Sequence, residues 1–246
     1  MGKYPQNQMV IDISHWNSVQ DWKAVRTSGV VGVIHKFSQG TSNKDPAYQS
    51  NRANAIAANL LWGRYHFADA SPVASQVANF LTGWQAGELL ALDWENTTDG
   101  TASLADAEAF VTAVFSQTGQ VPVLYSGNVV KEALKAGPST VLSGCRLWLA
   151  QYANQPVLPP GWDAAWLWQW TNNGTCGGIS GAVDLDSYMG TEADLRASWV
   201  DMPTPVPTPV PVVETETVTI SVVVPKGARV SISSSGPVDV AALPGA

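Results

Sequence analysis

The chain has 246 residues, of which 45% are hydrophobic and 13% charged, and its net charge is −7. This length and apolar share allow one barrel domain or two smaller domains with a sizeable core. The singly scattered Lys and Arg exclude a nucleic-acid binder, which needs clustered cations to neutralise phosphates.

From the start of the chain, Met1 to Met9 has no apolar core and no cleavage site, so no signal peptide is expected, and Gln6 breaks a myristoylation signal at Gly2. No apolar run is long enough for a membrane span. Strand-like runs follow at Met9–Ile13, Val31–Lys36, Leu61–Phe67, Leu89–Asp93, Val121–Tyr125, Arg146–Ala150, Trp166–Trp170 and Ala182–Asp186. Helical patterns lie between the first six: Val19–Ser28, Pro46–Asn59, Pro72–Trp84, Leu104–Thr118 and Val129–Ala136. Asp45-Pro46 and Ser71-Pro72 read as a cap residue followed by proline at the first helical position. Ser103 with Asp106 forms a weak capping box, and Gly119 a helix stop. Alternating strands and helices predict a parallel α/β sheet, and eight strands predict closure into a barrel. Near Met202 the composition changes. Residues 203–213 read as a polyproline spacer, with proline at every second position from Pro203 to Pro211. Residues 214–246 read as two short strands, around Val218–Val224 and Val230–Ile232, too few to stand alone; this module is expected to self-associate or to attach the protein to something else.

The period of two in Leu90-Ala91-Leu92-Asp93-Trp94-Glu95 puts Ala91, Asp93 and Glu95 on one face, and Leu90, Leu92 and Trp94 on the other. The apolar face suits the outer helices. The other places two carboxyls at the C-terminal end of a barrel strand, where barrel enzymes carry their chemistry. Close like charges raise one pKa, leaving one carboxyl protonated as a general acid. Other strand ends carry Asp12, His66, Tyr125, Trp148, Tyr152, Gln169, Trp170, Asp184 and Asp186, the composition of an acidic cleft on which sugars stack. Each of the 11 Trp is read as core packing or as a sugar platform. His15, His35 and His66 have no zinc-site spacing, and His35 reads as a hydrogen-bonded core residue. No nucleophile elbow and no phosphate loop occur, so neither a serine nucleophile nor a cofactor is expected. Cys145 and Cys176 fit no zinc pattern and are either bonded or buried thiols.

In chain order, Ile11-Asp12-Ile13-Ser14-His15-Trp16-Asn17, Asp21-Trp22, Lys36-Phe37-Ser38-Gln39-Gly40, Tyr65-His66-Phe67, Leu92-Asp93-Trp94-Glu95, Trp148-Leu149-Ala150, Trp168-Gln169-Trp170 and Val183-Asp184-Leu185-Asp186 resemble glycoside hydrolase family 25, the Chalaropsis-type lysozymes common as phage endolysins. The chain departs from that pattern at Asn17 and Gln39, where Gln and Glu are usual. The resemblance implies an irregular barrel of eight strands and five helices. It implies a muramidase acting on bacterial peptidoglycan and made by a phage in its host's cytoplasm. It also implies Glu95 as general acid, Asp12, Asp93 and Asp184 as further acids, and Lys36, Tyr65, His66, Phe67, Tyr125, Trp148, Tyr152, Gln169 and Trp170 as sugar contacts. Asp186 stands where the family often has Asn, so the role goes to Asp184. Asp184 reaches the Asp93 rim if its strand is antiparallel or follows a deep loop; the short helix-free connection favours antiparallel. Cleavage then proceeds through a carboxylate acting directly or, the favoured reading, through the substrate's own acetamido group oriented by Asp93. A chitinase on a similar barrel is disfavoured because the run Glu88 to Leu92 lacks the aspartates of that motif. A non-catalytic glycan-binding barrel is disfavoured because all four acids are present.

Overall fold

The computed structural model describes residues 4–98 and 100–200; the segments 203–213 and 214–246 lie outside the described residues. Eight strands form the barrel: β1 (Val10–Ile13), β2 (Gly32–Gln39), β3 (Leu61–Phe67), β4 (Leu89–Asp93), β5 (Val123–Ser126), β6 (Leu147–Ala150), β7 (Leu167–Gly174) and β8 (Val183–Ser187). Strands β1 to β7 pair in sequence and in parallel. Strand β8 pairs antiparallel with both β7 and β1 and so closes the ring. Each strand expected from the sequence is present, and the last runs antiparallel. Its short connection leaves no room for the crossover that a parallel strand requires.

The pleat sorts side chains into two layers. Val10, Ile34, Leu89, Ala91, Val123 and Leu167 fill the barrel interior. Leu90, Leu92 and Trp94 point outward into the layer shared with Phe110, Val111 and Val114 of the helix Leu104–Thr118. The face assignment made from the period of two therefore holds along β4.

Among the described residues six helices surround the barrel: α1 (Trp22–Thr27), α2 (Tyr48–Ala57), α3 (Val73–Leu81), α4 (Leu104–Thr118), α5 (Asn128–Ala133) and α6 (Glu192–Ser198). Helix α4 starts at the Ser103–Asp106 capping box and stops at Gly119, which takes the left-handed conformation at φ 70°. Two expected caps are corrected. Helix α2 begins at Tyr48, not Pro46, and Asp45 accepts instead from the backbone N–H of His15 and of Ala47. Helix α3 begins at Val73, with Pro72 itself in the cap position and the Ser71 hydroxyl turned to Asp69. Helix α1 starts at Trp22 behind the Asp21 cap, later than Val19, which lies in a two-residue strand with Ser18.

Helix α6 was not expected, although Thr191 and Asp194 cap it as Ser103 and Asp106 cap α4. It packs Leu195, with Trp199 just beyond it, against Val10 and Val31 at the floor of the barrel. The Trp199 indole donates to the carbonyl of Trp62 at 2.9 Å. Gly32 makes room for that ring: a Cβ there would lie 2.5 Å from it. A second buried feature ties β4 to its neighbours. Glu88 accepts from Tyr48 of α2, from Arg52 Nε at 2.8 Å and from Arg64 of β3. Arg64 also donates to the carbonyls of Phe80 and Thr82. Cys145 and Cys176 are free, buried thiols.

Candidate active site

At the C-terminal ends of the parallel strands a cavity of about 100 Å³ is lined by Asp12, Tyr65, Asp93, Glu95, Tyr125, Trp148 and Asp184. Each residue arrives by the pleat: Asp12 from β1, Tyr65 from β3, Asp93 from β4 with Glu95 two residues on, Tyr125 from β5 and Trp148 from β6. Asp184 comes from β8 and stands directly opposite Asp12 in the antiparallel pairing. A strand entering the mouth with its first residues can place an early aspartate at the same rim as the last residues of β1 and β4.

Below Asp184, on the same face of β8, Asp186 is wholly buried. It accepts from the Trp148 indole at 2.6 Å. Asp12 accepts from the Gln169 amide at 2.8 Å, and the Gln169 carbonyl accepts from the hydroxyls of Tyr125 and Tyr152 at 3.0 Å each. Asp93 is almost fully buried, and its Oδ1 has no hydrogen-bond partner among the described residues.

Burial pushes all five carboxyls above the usual range. For Asp93 it acts first, then the charge of Glu95, with Lys36 opposing. Glu95 is raised by burial and by Asp184, again against Lys36. Asp12 is raised well above its ordinary value by burial, then by Asp186 and Asp184. Asp186 is raised by burial against the Trp148 hydrogen bond, and Asp184 by burial against a hydrogen bond with Asp12. Protons are therefore retained here in a range where exposed carboxyls have lost theirs.

The other residues expected at the site divide. Lys36 sits 4.8 Å above the Phe67 ring and donates to Gln39 at 2.7 Å. Tyr152 stands at the rim, 56% exposed, beside a second depression lined by Glu95, Gly127, Asn128 and Gln151. Two residues lie elsewhere. His66 is on the outward pleat of β3, wholly buried between Ser38 and Gln76 and stacked on Phe110, and burial lowers its pKa to about 4. Trp170 is on the outward pleat of β7 and donates to the carbonyl of Asn7 at 2.7 Å. The histidine read as a core residue, His35, is buried and held by Lys36 O and Asn51. Among the described residues no cluster of His, Cys, Asp and Glu could hold a metal, and no helix is long and apolar enough to cross a membrane.

Sequence reasoning assigned no role to Trp16, which is 84% exposed just past β1. Its ring packs at a tilt of 38° against His15, centroids 4.5 Å apart, and His15 is fixed by Asp45 at 2.8 Å. In the ring of strands β1 lies opposite β5, so the turn that carries Trp16 and the start of α5 at Asn128 follow strands on opposite sides of the barrel. The signal was a large aromatic in an otherwise polar turn at a strand end.

Buried, partly protonated carboxyls above a closed α/β barrel, flanked by tyrosines and tryptophan, define a glycosidase-type site. Residues 11–179 match the profile of glycosyl hydrolases family 25, and the chain belongs to that family; it is a glycoside hydrolase. It is 27% identical over 204 residues to Lysozyme M1 of Streptomyces globisporus, covering 76% of this chain and 69% of that protein. It superposes on the bacterial lysozyme of Streptomyces coelicolor with a TM-score of 0.70 and 27% identity, covering 77% of this chain and 95% of that one. A family GH25 lysozyme of Aspergillus fumigatus gives 0.66 and 28%, covering 78% and 98%.

Proposed function

We propose that the protein is an N-acetylmuramidase that cleaves the β-1,4 bond between N-acetylmuramic acid and N-acetylglucosamine in bacterial peptidoglycan. The observation that carries this reading is the placement of Asp93 and Glu95 on one cavity wall, with Asp12 and Asp184 on the opposite side. Glu95, at the open end of β4, donates its proton to the leaving glycosidic oxygen.

Asp93 lies beside Glu95 rather than across the sugar, which favours participation by the substrate's own acetamido group. Its carbonyl oxygen attacks the anomeric carbon as the glycosidic bond breaks. The acetamido N–H donates to the partnerless Asp93 Oδ1. Both carboxyls are raised by burial, and the charge of Glu95 adds to the rise at Asp93. Donation from the substrate's amide favours the ionised Asp93 and leaves the proton on Glu95. Glu95, once deprotonated, then takes a proton from the water that opens the cyclic intermediate and returns to its starting state.

The tyrosines and Trp148 bound the sugar in the cavity. The Asn128–Tyr152 depression and the Trp16 platform extend the cleft to either side. Mass spectrometry of digested peptidoglycan tests the reading. New reducing ends on muramic acid are expected; reducing ends on glucosamine, or glycan that is bound but not cut, would overturn it.

A further inference from the structure

Three of the five raised carboxyls, Asp12, Asp184 and Asp186, have no part in the steps just given. Asp12 pairs with Asp184 across the β1–β8 ladder and Val10 with Asp186, so Asp12 and Asp186 are diagonal neighbours on the same face. Of the neighbouring charges, Asp186 acts most on Asp12. Asp186 is 0% exposed and Asp12 7%. One Asp186 oxygen is taken by the Trp148 indole, and Oδ2 has no hydrogen-bond partner among the described residues. The Gln169 carbonyl is occupied by two tyrosine hydroxyls, so its amide nitrogen is the end that faces Asp12.

Two carboxylates buried as neighbours on one face repel each other; one proton between them turns repulsion into a hydrogen bond. We propose that Asp12 and Asp186 hold a single proton in common, and that Asp186 is a positioning residue which fixes Asp12 at the cavity wall and keeps the pair at one negative charge.

The surroundings fit a shared proton. From β8 itself Asp184 faces the pair; from β5 and the β6 rim, Tyr125 and Tyr152 face it, both protonated because burial raises them. Across the cavity stand Tyr65 of β3 and the carboxyls of Asp93 and Glu95. The cation of the mouth, Lys36, acts on Asp93 and Glu95. A second full charge on the Asp12–Asp186 pair would thus face like charges at short range.

Asp186→Asn and Asp186→Leu separate the roles. Asn keeps the shape, donates to Asp12 and leaves the charge of the pair unchanged. Leu keeps the bulk and donates nothing. With Asn, kcat is expected to stay within about threefold of wild type, and with Leu to fall about tenfold or more, KM moving little in either. Asp184→Asn serves as the comparison and should fall much further than Asp186→Asn.

Stability gives the readout that a merely structural role would not move. The unfolded chain loses this proton near the ordinary aspartate pKa, about 3.9, while the folded chain keeps it, so wild-type stability falls as pH rises above that value. Asp186→Asn removes that loss. Its Tm should exceed wild type at about pH 7, and the gap should close near pH 3. The infrared carbonyl band of a buried neutral carboxyl should be present in wild type at neutral pH and lose one component in Asp186→Asn. A Tm gap that does not vary with pH, or an undiminished band, would overturn the proposal. Should Asp186→Asn not fold, the wild-type aspartate carboxyl shifts, followed by 13C NMR against pH, decide the matter: a buried pair losing its last proton only well above 3.9 supports it, and ordinary titration of both overturns it. The activity arm rests on the muramidase reading. The stability and spectroscopic arms hold whatever glycan is cut.

Discussion

The barrel buries carboxyls in two places, and treats them in opposite ways. Glu88, at the entry of β4, is 3% exposed and receives two guanidinium groups and a tyrosine hydroxyl. At the exit of the same strand Asp93, and on β8 Asp186, are as deeply buried, and each keeps an oxygen without a hydrogen-bond partner among the described residues. Those donors let the Glu88 carboxyl fasten elements together: it joins α2, β3 and β4. Burial without that compensation raises a carboxyl's pKa, and at the mouth it raises Glu95, the proposed acid, as well. The position along one strand, floor or mouth, therefore separates holding from reacting.

The largest effect should come from breaking the held acid. In Glu88→Ala the Arg64 guanidinium, 2% exposed, is left without its partner. A loss of about 3–5 kcal/mol in unfolding free energy is expected, read from urea midpoints, while the folded fraction turns over normally. Little change would mean that the ion pair is not what ties β4 down. Next comes the reacting acid. Glu95→Gln should cut turnover by about a hundredfold, with the circular dichroism spectrum and melting curve retained, because the proton donor goes and the shape stays. Asp93→Asn should be comparably impaired. Near-normal lysis of a peptidoglycan suspension by Glu95→Gln would remove it from the role of acid.

The comparison sharpens at Lys36, which opposes the upward shifts of both Asp93 and Glu95. A cation lowers a neighbouring carboxyl's pKa, so Lys36→Met raises it, and Glu95 stays protonated to higher pH. The alkaline limb of the bell-shaped kcat profile should move up by about one pH unit; a downward move would contradict the assignment of Glu95 as the protonated partner. The smallest effect on the barrel is expected from truncation after Met202. Turnover of soluble glycan fragments should not change, and the difference should lie in mass per particle by light scattering or in retention on whole cell walls.

Much of this was legible in the sequence because it depends on near neighbours. Alternation alone put Asp93 and Glu95 inside and Leu92 and Trp94 outside. Short apolar runs bounded by turns marked all eight strands, and the bonded residues of the α4 cap lie three apart. What was not legible depends on partners far along the chain. Asp45 looked like a helix cap, but His15, thirty residues earlier, claims its carboxylate. His66 and Trp170 stood at strand ends like their inward neighbours Tyr65 and Gln169, yet one residue of pleat sends them to the outer layer. The Asp12–Asp186 contact needs the β1–β8 register, set across more than 170 residues. Helix α6 carried its cap signal openly, but at seven residues its periodicity is too short to stand out.

The free thiol of Cys145 makes the protein its own clock. It is 2% exposed, and burial raises its pKa to about 12, so the native chain presents almost no thiolate at neutral pH. A thiol reagent must wait for the turn after Leu142–Gly144 to lift away from the Trp162 indole, which donates to the Cys145 carbonyl. Where closing outruns the reagent, the labelling rate counts how often that turn is open; with reagent in excess, it approaches the opening rate itself. The same cysteine then measures, without any inserted probe, whether a change at the mouth is felt at a distant part of the barrel.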